Sequence, residues 1–245
     1  MQGVLTLTRS TIGQKVIVAV TGVILFGFVI GHLAGNLILF AGPEAYNAYA
    51  SALKGNPALL WGVRLTLLTS VVVHISLTMQ LARRNATARP QGYRARKDLV
   101  TTYAARTMVI SGPLLAAYIV FHIAHLTAPG VNFGHMSDPF DAHNVYANAV
   151  LGFRVWWVSA IYIFANFLLG LHLFHGGWSA AQSIGAQSPK YDALRKRIAV
   201  GLALFVACGN IAIPICVQTH VIGSNEQLAE SRALIAAEAA ETEEE

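Results

Sequence analysis

The sequence predicts an all-α integral membrane protein, a bundle of five transmembrane helices, from its composition and its apolar runs. Only 12% of the 245 residues are charged, against about 25% in average soluble domains, and the mean hydropathy is +0.52. Five apolar runs of about 20 residues or more are long enough to cross a hydrocarbon core of about 30 Å as helices. They do not alternate with period two as barrel strands do, so we expect helices.

The five predicted helices form one domain, residues 1–222, and cover 16–41, 58–82, 104–128, 152–180 and 198–220. Pairs typical of turns, such as Gly42-Pro43 and Asp138-Pro139, lie in the first and third connections. Residues 223–245 hold seven of the twelve acidic residues. We expect them to form an acidic C-terminal tail with a short helix and a frayed end.

Basic residues lie mostly on one side of the predicted membrane. Thirteen of the 17 Lys and Arg residues fall near the N-terminus, in the loop 83–106 or in the loop 190–197. The positive-inside rule then places the N-terminus in the cytoplasm, and five crossings of the cell membrane place the C-terminus outside. The pI near 9.4 therefore reflects topology and attraction to anionic lipid, and we expect no nucleic-acid partner.

Histidines are the main polar groups inside the predicted helices, and no Asp or Glu falls in the middle of one. A single intramembrane histidine is compatible with simple packing. Ionisable side chains in four consecutive helices are costly at that depth and indicate function. They are His32 in the first helix, His74 in the second, His122 and His125 in the third, and His172 and His175 in the fourth.

The depths of four of these histidines predict two pairs. His32 and His122 lie about 24 Å and about 27 Å above the inner ends of their helices. The corresponding heights of His74 and His172 are about 13 Å and about 12 Å. Two histidines from two helices at one depth can take both axial positions of a haem iron. The bundle is thus predicted to enclose two haems, an outer one on His32 and His122 and an inner one on His74 and His172.

Alternative ligands and partners remain open at this point. His125 and His175 lie one turn, or about 4.5 Å, from His122 and His172, and each can replace its neighbour or hydrogen-bond behind it. Arg64 and Arg154, at predicted outer helix ends, either pair with haem propionates or reach the membrane interface as isolated cations.

Three glycines in the first predicted helix have two interpretations. Gly27, Gly31 and Gly35 are spaced four residues apart. Such a stripe is typical of close helix packing, and it also offers a smooth groove for a porphyrin face beside His32.

The two cysteines, Cys208 and Cys216, lie in the fifth predicted helix, and neither belongs to a C-x-x-C-H sequence. The sequence therefore favours packing roles for both over covalent haem attachment or ligation of an iron–sulfur cluster.

Over residues of about 10 to 220, the chain resembles the dihaem cytochrome b membrane anchor of succinate dehydrogenase and fumarate reductase, in its five-helix, single-chain form. The order and spacing of the four histidines carry the resemblance together with short segments: Gly31-His32-Leu33-Ala34-Gly35-Asn36-Leu37, Gly42-Pro43-Glu44-Ala45-Tyr46-Asn47-Ala48-Tyr49, Phe121-His122, and His172 followed by Gly176-Gly177-Trp178-Ser179.

The resemblance implies two b haems, with the first and third helices sharing one and the second and fourth sharing the other. It also implies that a flavoprotein subunit and an iron–sulfur subunit dock on the cytoplasmic side, and that electrons pass to or from a membrane quinone, commonly menaquinone. We expect part of the basic loop 83–106, including Arg94, Arg96 and Lys97, to face the iron–sulfur subunit.

The chain departs from the family at two places. Some members carry a glutamate near the outer end of the second helix for quinone proton transfer, whereas residues 59–64 here contain no acid and Glu44 is the nearest candidate. Residues 223–245 have no counterpart in the pattern.

We expect a respiratory electron-transfer subunit that does not itself oxidise succinate, because no Rossmann glycine fingerprint, flavin-attachment motif or cysteine cluster is present. The alternatives are a cytochrome b anchor of a hydrogenase or formate dehydrogenase, and a transporter with a histidine proton relay. Transporters commonly have inverted repeats and broken helices, and the sequence has neither pattern.

Overall fold

The structure is a computed structural model that describes residues 10–88, 103–127, 140–185 and 188–244. Within these ranges the chain forms helices and turns and no strand. Five helices are long and apolar enough to cross a membrane, which confirms the predicted multi-pass helical class. They are Thr11–Ala41, Pro57–Thr87, Thr107–Leu126, Trp156–Ser183 and Pro189–Gln218.

The α-helices, numbered along the described chain, are α1 Thr11–Leu37, α2 Pro43–Lys54, α3 Pro57–Thr87, α4 Tyr103–Leu126, α5 Val145–Arg154, α6 Trp156–Ser183, α7 Asp192–Gln218 and α8 Asn225–Glu244. Two 3-10 turns, Ile38–Ala41 and Pro189–Tyr191, precede α2 and α7. Helices α2, α5 and α8 are too short or too polar to be spans, and we call them the three-helix cluster.

The fourth predicted helix begins four residues later than expected. Residues 152–154 belong to α5, Val155 is extended, with φ −77° and ψ 110°, and α6 starts at Trp156. The carbonyl of Phe153 accepts hydrogen bonds from Ser159 Oγ at 2.6 Å and Gln218 Nε2 at 2.7 Å. These side chains satisfy a carbonyl that a continuous helix would pair with a backbone N–H, and so they stabilise the break.

The chain divides into two compact units. The first comprises Met1–Val29, Gly62–Pro113 and Leu168–Phe205, and the second comprises Ile30–Trp61, Leu114–Phe167 and Val206–Glu245. Each spanning helix contributes residues to both units. His74, His172 and His175 belong to the first unit, whereas His32, His122 and His125 belong to the second.

The second unit contains a hydrophobic core that joins α5 to α6, α7 and α8. Tyr146, Val150, Val158 and Val217 are completely buried in it, and Leu228 of α8 is buried beside them. Residues 225–244 of the predicted acidic tail form a 20-residue helix, which packs against this core through Leu228. Acidic composition alone did not predict this attachment, because the attachment depends on two buried side chains that are not acidic, Leu228 and Ser231.

Buried polar side chains connect the three-helix cluster. Asn47 of α2 donates to Ser231 of α8 at 3.3 Å, and Ser231 donates to Asn144 Oδ1 at 2.6 Å. Asn144 also caps α5 by accepting from the backbone N–H of Ala147 at 3.0 Å. Asn47 Oδ1 accepts from the backbone N–H of Tyr146 at 2.9 Å. The network satisfies the buried polar groups where three helices meet.

Candidate functional site

Each unit contains one pair of facing histidines. In the second unit, the rings of His32 on α1 and His122 on α4 have centroids 5.7 Å apart and planes 80° apart. In the first unit, the rings of His74 on α3 and His172 on α6 have centroids 6.5 Å apart and planes 57° apart. The structure thus brings together the same two pairs that the depths along the helices predict.

Both separations fit two imidazoles on opposite sides of one metal ion. An imidazole nitrogen binds a transition metal at about 2 Å, so two opposed nitrogens lie about 4 Å apart and the ring centroids roughly 6 Å apart. The centroid distances of 5.7 Å and 6.5 Å lie on either side of this value. Two axial imidazoles are the protein ligands of a bis-histidine haem.

Two polar groups lie within hydrogen-bond distance of Nδ1 of His74. Its Nδ1 lies 3.2 Å from the carbonyl oxygen of Val18 and 3.2 Å from Thr21 Oγ1. Thr21 donates its own proton to the carbonyl of Ile17 at 2.9 Å. A carbonyl can only accept, so Nδ1 of His74 carries the ring proton and Nε2 keeps its lone pair for a metal, as is usual in metal-binding histidines.

The ring of His172 contains a buried polar atom that lacks a hydrogen-bond partner among the described residues. This atom is Nδ1, and the lack of a partner is rare for a buried polar atom. The ring paired with His74 is that of His172, while His175 lies one turn further along α6, and both side chains are half-buried.

His122 and His125 occupy different surroundings although they are one turn apart. His122 faces His32, and its Nδ1 lies 3.1 Å from the hydroxyl of Tyr162. His125 is 1% exposed, stacks on Phe121 with centroids 5.8 Å apart, and contacts Phe153 at 6.2 Å. The structure thus pairs His122 with His32 and surrounds His125 with aromatic side chains.

Gly27, Gly31 and Gly35 of α1 differ in what lies beside them. A Cβ on Gly31, or on Gly27, would meet no atom within 4 Å, whereas a Cβ on Gly35 would lie 2.8 Å from Cζ of Tyr49. Gly35 therefore allows close packing of α1 against α2. The space beside Gly31 is open, and its use as a groove for a porphyrin stays a prediction.

The two arginines differ in what they contact. Arg154 donates through Nη2 to the carbonyl of Gly223 at 2.8 Å and to Asn225 Oδ1 at 2.9 Å. Its guanidinium thus holds the start of α8, a role that the sequence did not predict. Arg64 is exposed on α3, in the first unit.

Sequence reasoning missed the groups that contact Nδ1 of His74 and of His122: Thr21, the carbonyl of Val18 and Tyr162. Hydroxyl side chains inside apolar spans were the available signal, since each needs a hydrogen-bond partner there. Their partners depend on which helix lies opposite, and hydropathy does not contain that information.

The two histidine pairs and the groups behind them are therefore the features from which a function is inferred. No family model, no curated protein and no solved structure matches the chain.

Proposed function

We propose that the chain is the cytochrome b membrane anchor of a succinate:quinone oxidoreductase, respiratory complex II, which transfers electrons between an iron–sulfur subunit and membrane quinone. The observation that carries the proposal is the presence of one facing histidine pair in each unit, at 5.7 Å and 6.5 Å. The sequence resemblance around His32 and His172 supports this enzyme over other quinone-linked complexes. Menaquinone is the expected quinone.

In this proposal His32 and His122 hold the outer haem b, and His74 and His172 hold the inner one. Bound haem supplies one-electron transfer through its iron. The chain's residues would orient the imidazoles of His74 and His122 through their Nδ1 atoms and surround both pairs with apolar side chains. Those side chains exclude water, a property that influences the potential of a metal site.

The dicarboxylate chemistry belongs to partner subunits in this proposal. A flavoprotein and an iron–sulfur subunit would dock at the cytoplasmic basic loop 83–106. Arg83 and Arg84 lie in the last turns of α3 and are exposed. The other predicted docking residues, Arg94, Arg96 and Lys97, lie outside the described residues.

A reduced-minus-oxidised visible spectrum of the purified protein tests the haem assignment. We expect two b-type haems in the wild type, the loss of one in His32→Ala or His122→Ala, and the loss of the other in His74→Ala or His172→Ala. His143→Ala and His220→Ala are matched controls, because both side chains are exposed and belong to neither pair. A wild-type protein without haem, prepared with haem supplied, would overturn the proposal.

Purification from native membranes in mild detergent tests the enzyme assignment. A co-purifying flavoprotein with an iron–sulfur subunit, and succinate-dependent quinone reduction by the assembly, are expected. A nickel-containing or a molybdenum-containing partner in their place would assign the chain to a hydrogenase or a formate dehydrogenase. Haem-free protein that moves protons across vesicles would instead indicate a transporter.

A further inference from the structure

One hydroxyl group connects two histidines of α4. The hydroxyl of Tyr162 on α6 lies 3.1 Å from Nδ1 of His122 and 2.9 Å from Nδ1 of His125. Both contacts are within hydrogen-bond distance. In each histidine the contacting atom is Nδ1. Tyr162 is 4% exposed and His125 is 1% exposed, so bulk water does not compete for these bonds.

The number of protons in this group restricts its arrangement. A neutral imidazole has one N–H, and the hydroxyl of Tyr162 has one proton to donate. If Tyr162 donates to His125, Nδ1 of His125 is an acceptor, and the oxygen of Tyr162 is free to accept from Nδ1–H of His122. If Tyr162 donates to His122 instead, the ring proton of His122 is on Nε2, which then cannot bind a metal.

In the first unit, the hydrogen-bond partner of His74 permits only one tautomer of its ring. Nδ1 of His74 lies beside the carbonyl of Val18, and a carbonyl accepts only. The hydroxyl of Tyr162 can donate or accept. The tautomer of His122 therefore depends on the other group that this hydroxyl contacts, which is His125.

Aromatic packing keeps the hydroxyl in this position. The ring of Tyr162 contacts Tyr118 and Phe153 edge to face, with centroids 5.2 Å and 4.8 Å away. Tyr118 also lies beside the ring of His122, at 5.9 Å, but its own hydroxyl accepts from Asn166 Nδ2 at 3.4 Å. Both tyrosine rings therefore lie beside His122. The hydroxyl of Tyr162 contacts the two histidines, whereas the hydroxyl of Tyr118 contacts Asn166.

We propose that Tyr162 is a positioning residue that makes Nε2 of His122 the metal-binding nitrogen, and that His125 sets this state by accepting the Tyr162 proton. The inference rests on the proposed function for the metal. It assigns His125 as the acceptor of the hydrogen bond from Tyr162. The sequence had left this role open, together with the role of a replacement ligand. The relay is the hydrogen-bonded series His122, Tyr162 and His125.

Tyr162→Phe and Tyr118→Phe form the matched test, since each removes one hydroxyl from a ring near His122. The readouts are the midpoint potential and the electron paramagnetic resonance spectrum of each haem, assigned with His32→Ala. Loss of the acceptor for Nδ1–H makes the imidazole a weaker donor, so the potential of the haem on His122 should rise in Tyr162→Phe alone. Wild-type values in Tyr162→Phe, or equal shifts in both variants, would overturn the proposal.

Two substitutions of His125 test the relay by changing the acceptor of the Tyr162 proton. They also provide a test if Tyr162→Phe fails to fold. His125→Leu removes the acceptor and should change the spectrum of the same haem or lower its occupancy. His125→Gln retains an acceptor oxygen and should restore the wild-type spectrum. A wild-type spectrum in His125→Leu, or no restoration by His125→Gln, would count against the relay.

Ring nitrogen chemical shifts in haem-free protein separate failure of the relay from failure of the proposed function. The relay requires that His122 carries its proton on Nδ1 and His125 carries its proton on Nε2, and that Tyr162→Phe removes this difference. Equal tautomers in the wild type would overturn the relay whether or not the protein binds haem. Absence of haem with the tautomers as expected would overturn only the proposed function.

Discussion

Gly35 illustrates at the residue scale how one missing methyl group allows a close contact. A Cβ at this position would lie 2.8 Å from Cζ of Tyr49, so the tyrosine ring would have to move. We expect Gly35→Ala to lower the free energy of unfolding by about 1–3 kcal/mol, the usual cost of overpacking. The measurement is the thermal midpoint in detergent.

Gly31→Ala is the control on the same helix, because a Cβ there meets no atom within 4 Å. Its thermal midpoint in haem-free protein should stay near the wild-type value. Equal destabilisation by both substitutions would mean that an effect common to both positions, such as lipid contact, and not Tyr49, determines the loss, because helix propensity favours Ala over Gly.

Tyr46 of α2, outside the spanning helices, predicts a pH dependence. Burial, with a smaller contribution from neighbouring Tyr49, raises the pKa of Tyr46 to about 12, from about 10 in an unfolded chain. Between these values the unfolded state has lost the proton that the folded state keeps, so unfolding becomes more favourable as pH rises.

This contribution to stability is complete below pH of about 10 and should fall by roughly 2 kcal/mol towards pH 12. Thermal midpoints measured across this range in the wild type and in Tyr46→Phe provide the check. A loss of equal size in Tyr46→Phe would assign the alkaline effect to other groups.

At the scale of elements, α8 depends on a hydroxyl buried among amides. Ser231 is 0% exposed and joins Asn47 to Asn144. Ser231→Ala leaves both amides without this partner, and an unsatisfied buried polar group costs about 1–3 kcal/mol. We expect α8 to detach more readily, as measured by hydrogen exchange of its amides and by limited proteolysis.

Ser51→Ala is the matched control, since Ser51 lies on α2 of the same cluster with an exposed side chain. Faster exchange confined to α8 in Ser231→Ala, and unchanged exchange in Ser51→Ala, are the expected pair of results. Unchanged exchange in both variants would show that Leu228 and its apolar neighbours hold α8 without the network.

At the scale of the whole molecule, the distribution of basic residues predicts the topology. Ser51 precedes the span Pro57–Thr87, and Thr87 ends it, so single cysteines at these positions report on opposite sides of the membrane. In a chain without Cys208 and Cys216, an impermeant thiol reagent applied to intact cells should label Ser51→Cys and not Thr87→Cys. The reverse pattern would place the N-terminus outside.

Local properties explain what the sequence alone determined. Hydropathy identified five spans, because each apolar run must match the thickness of the membrane wherever it packs. The constant helical rise of about 1.5 Å per residue put His32 level with His122 and His74 level with His172. The structure brings the same residues together, because helices at this depth cannot change their rise without losing backbone hydrogen bonds.

Contacts between distant parts of the chain were decided only by the tertiary structure. One helical turn separates His122 from His125, and only the packing of α5 and α6 places Phe153 and Tyr162 around the ring of His125. Likewise, the end of α5 at Arg154 depends on Gln218, 64 positions further along the chain. Composition and periodicity describe one helix at a time, whereas the partner of a buried polar group is set by the neighbouring helix and its rotamers.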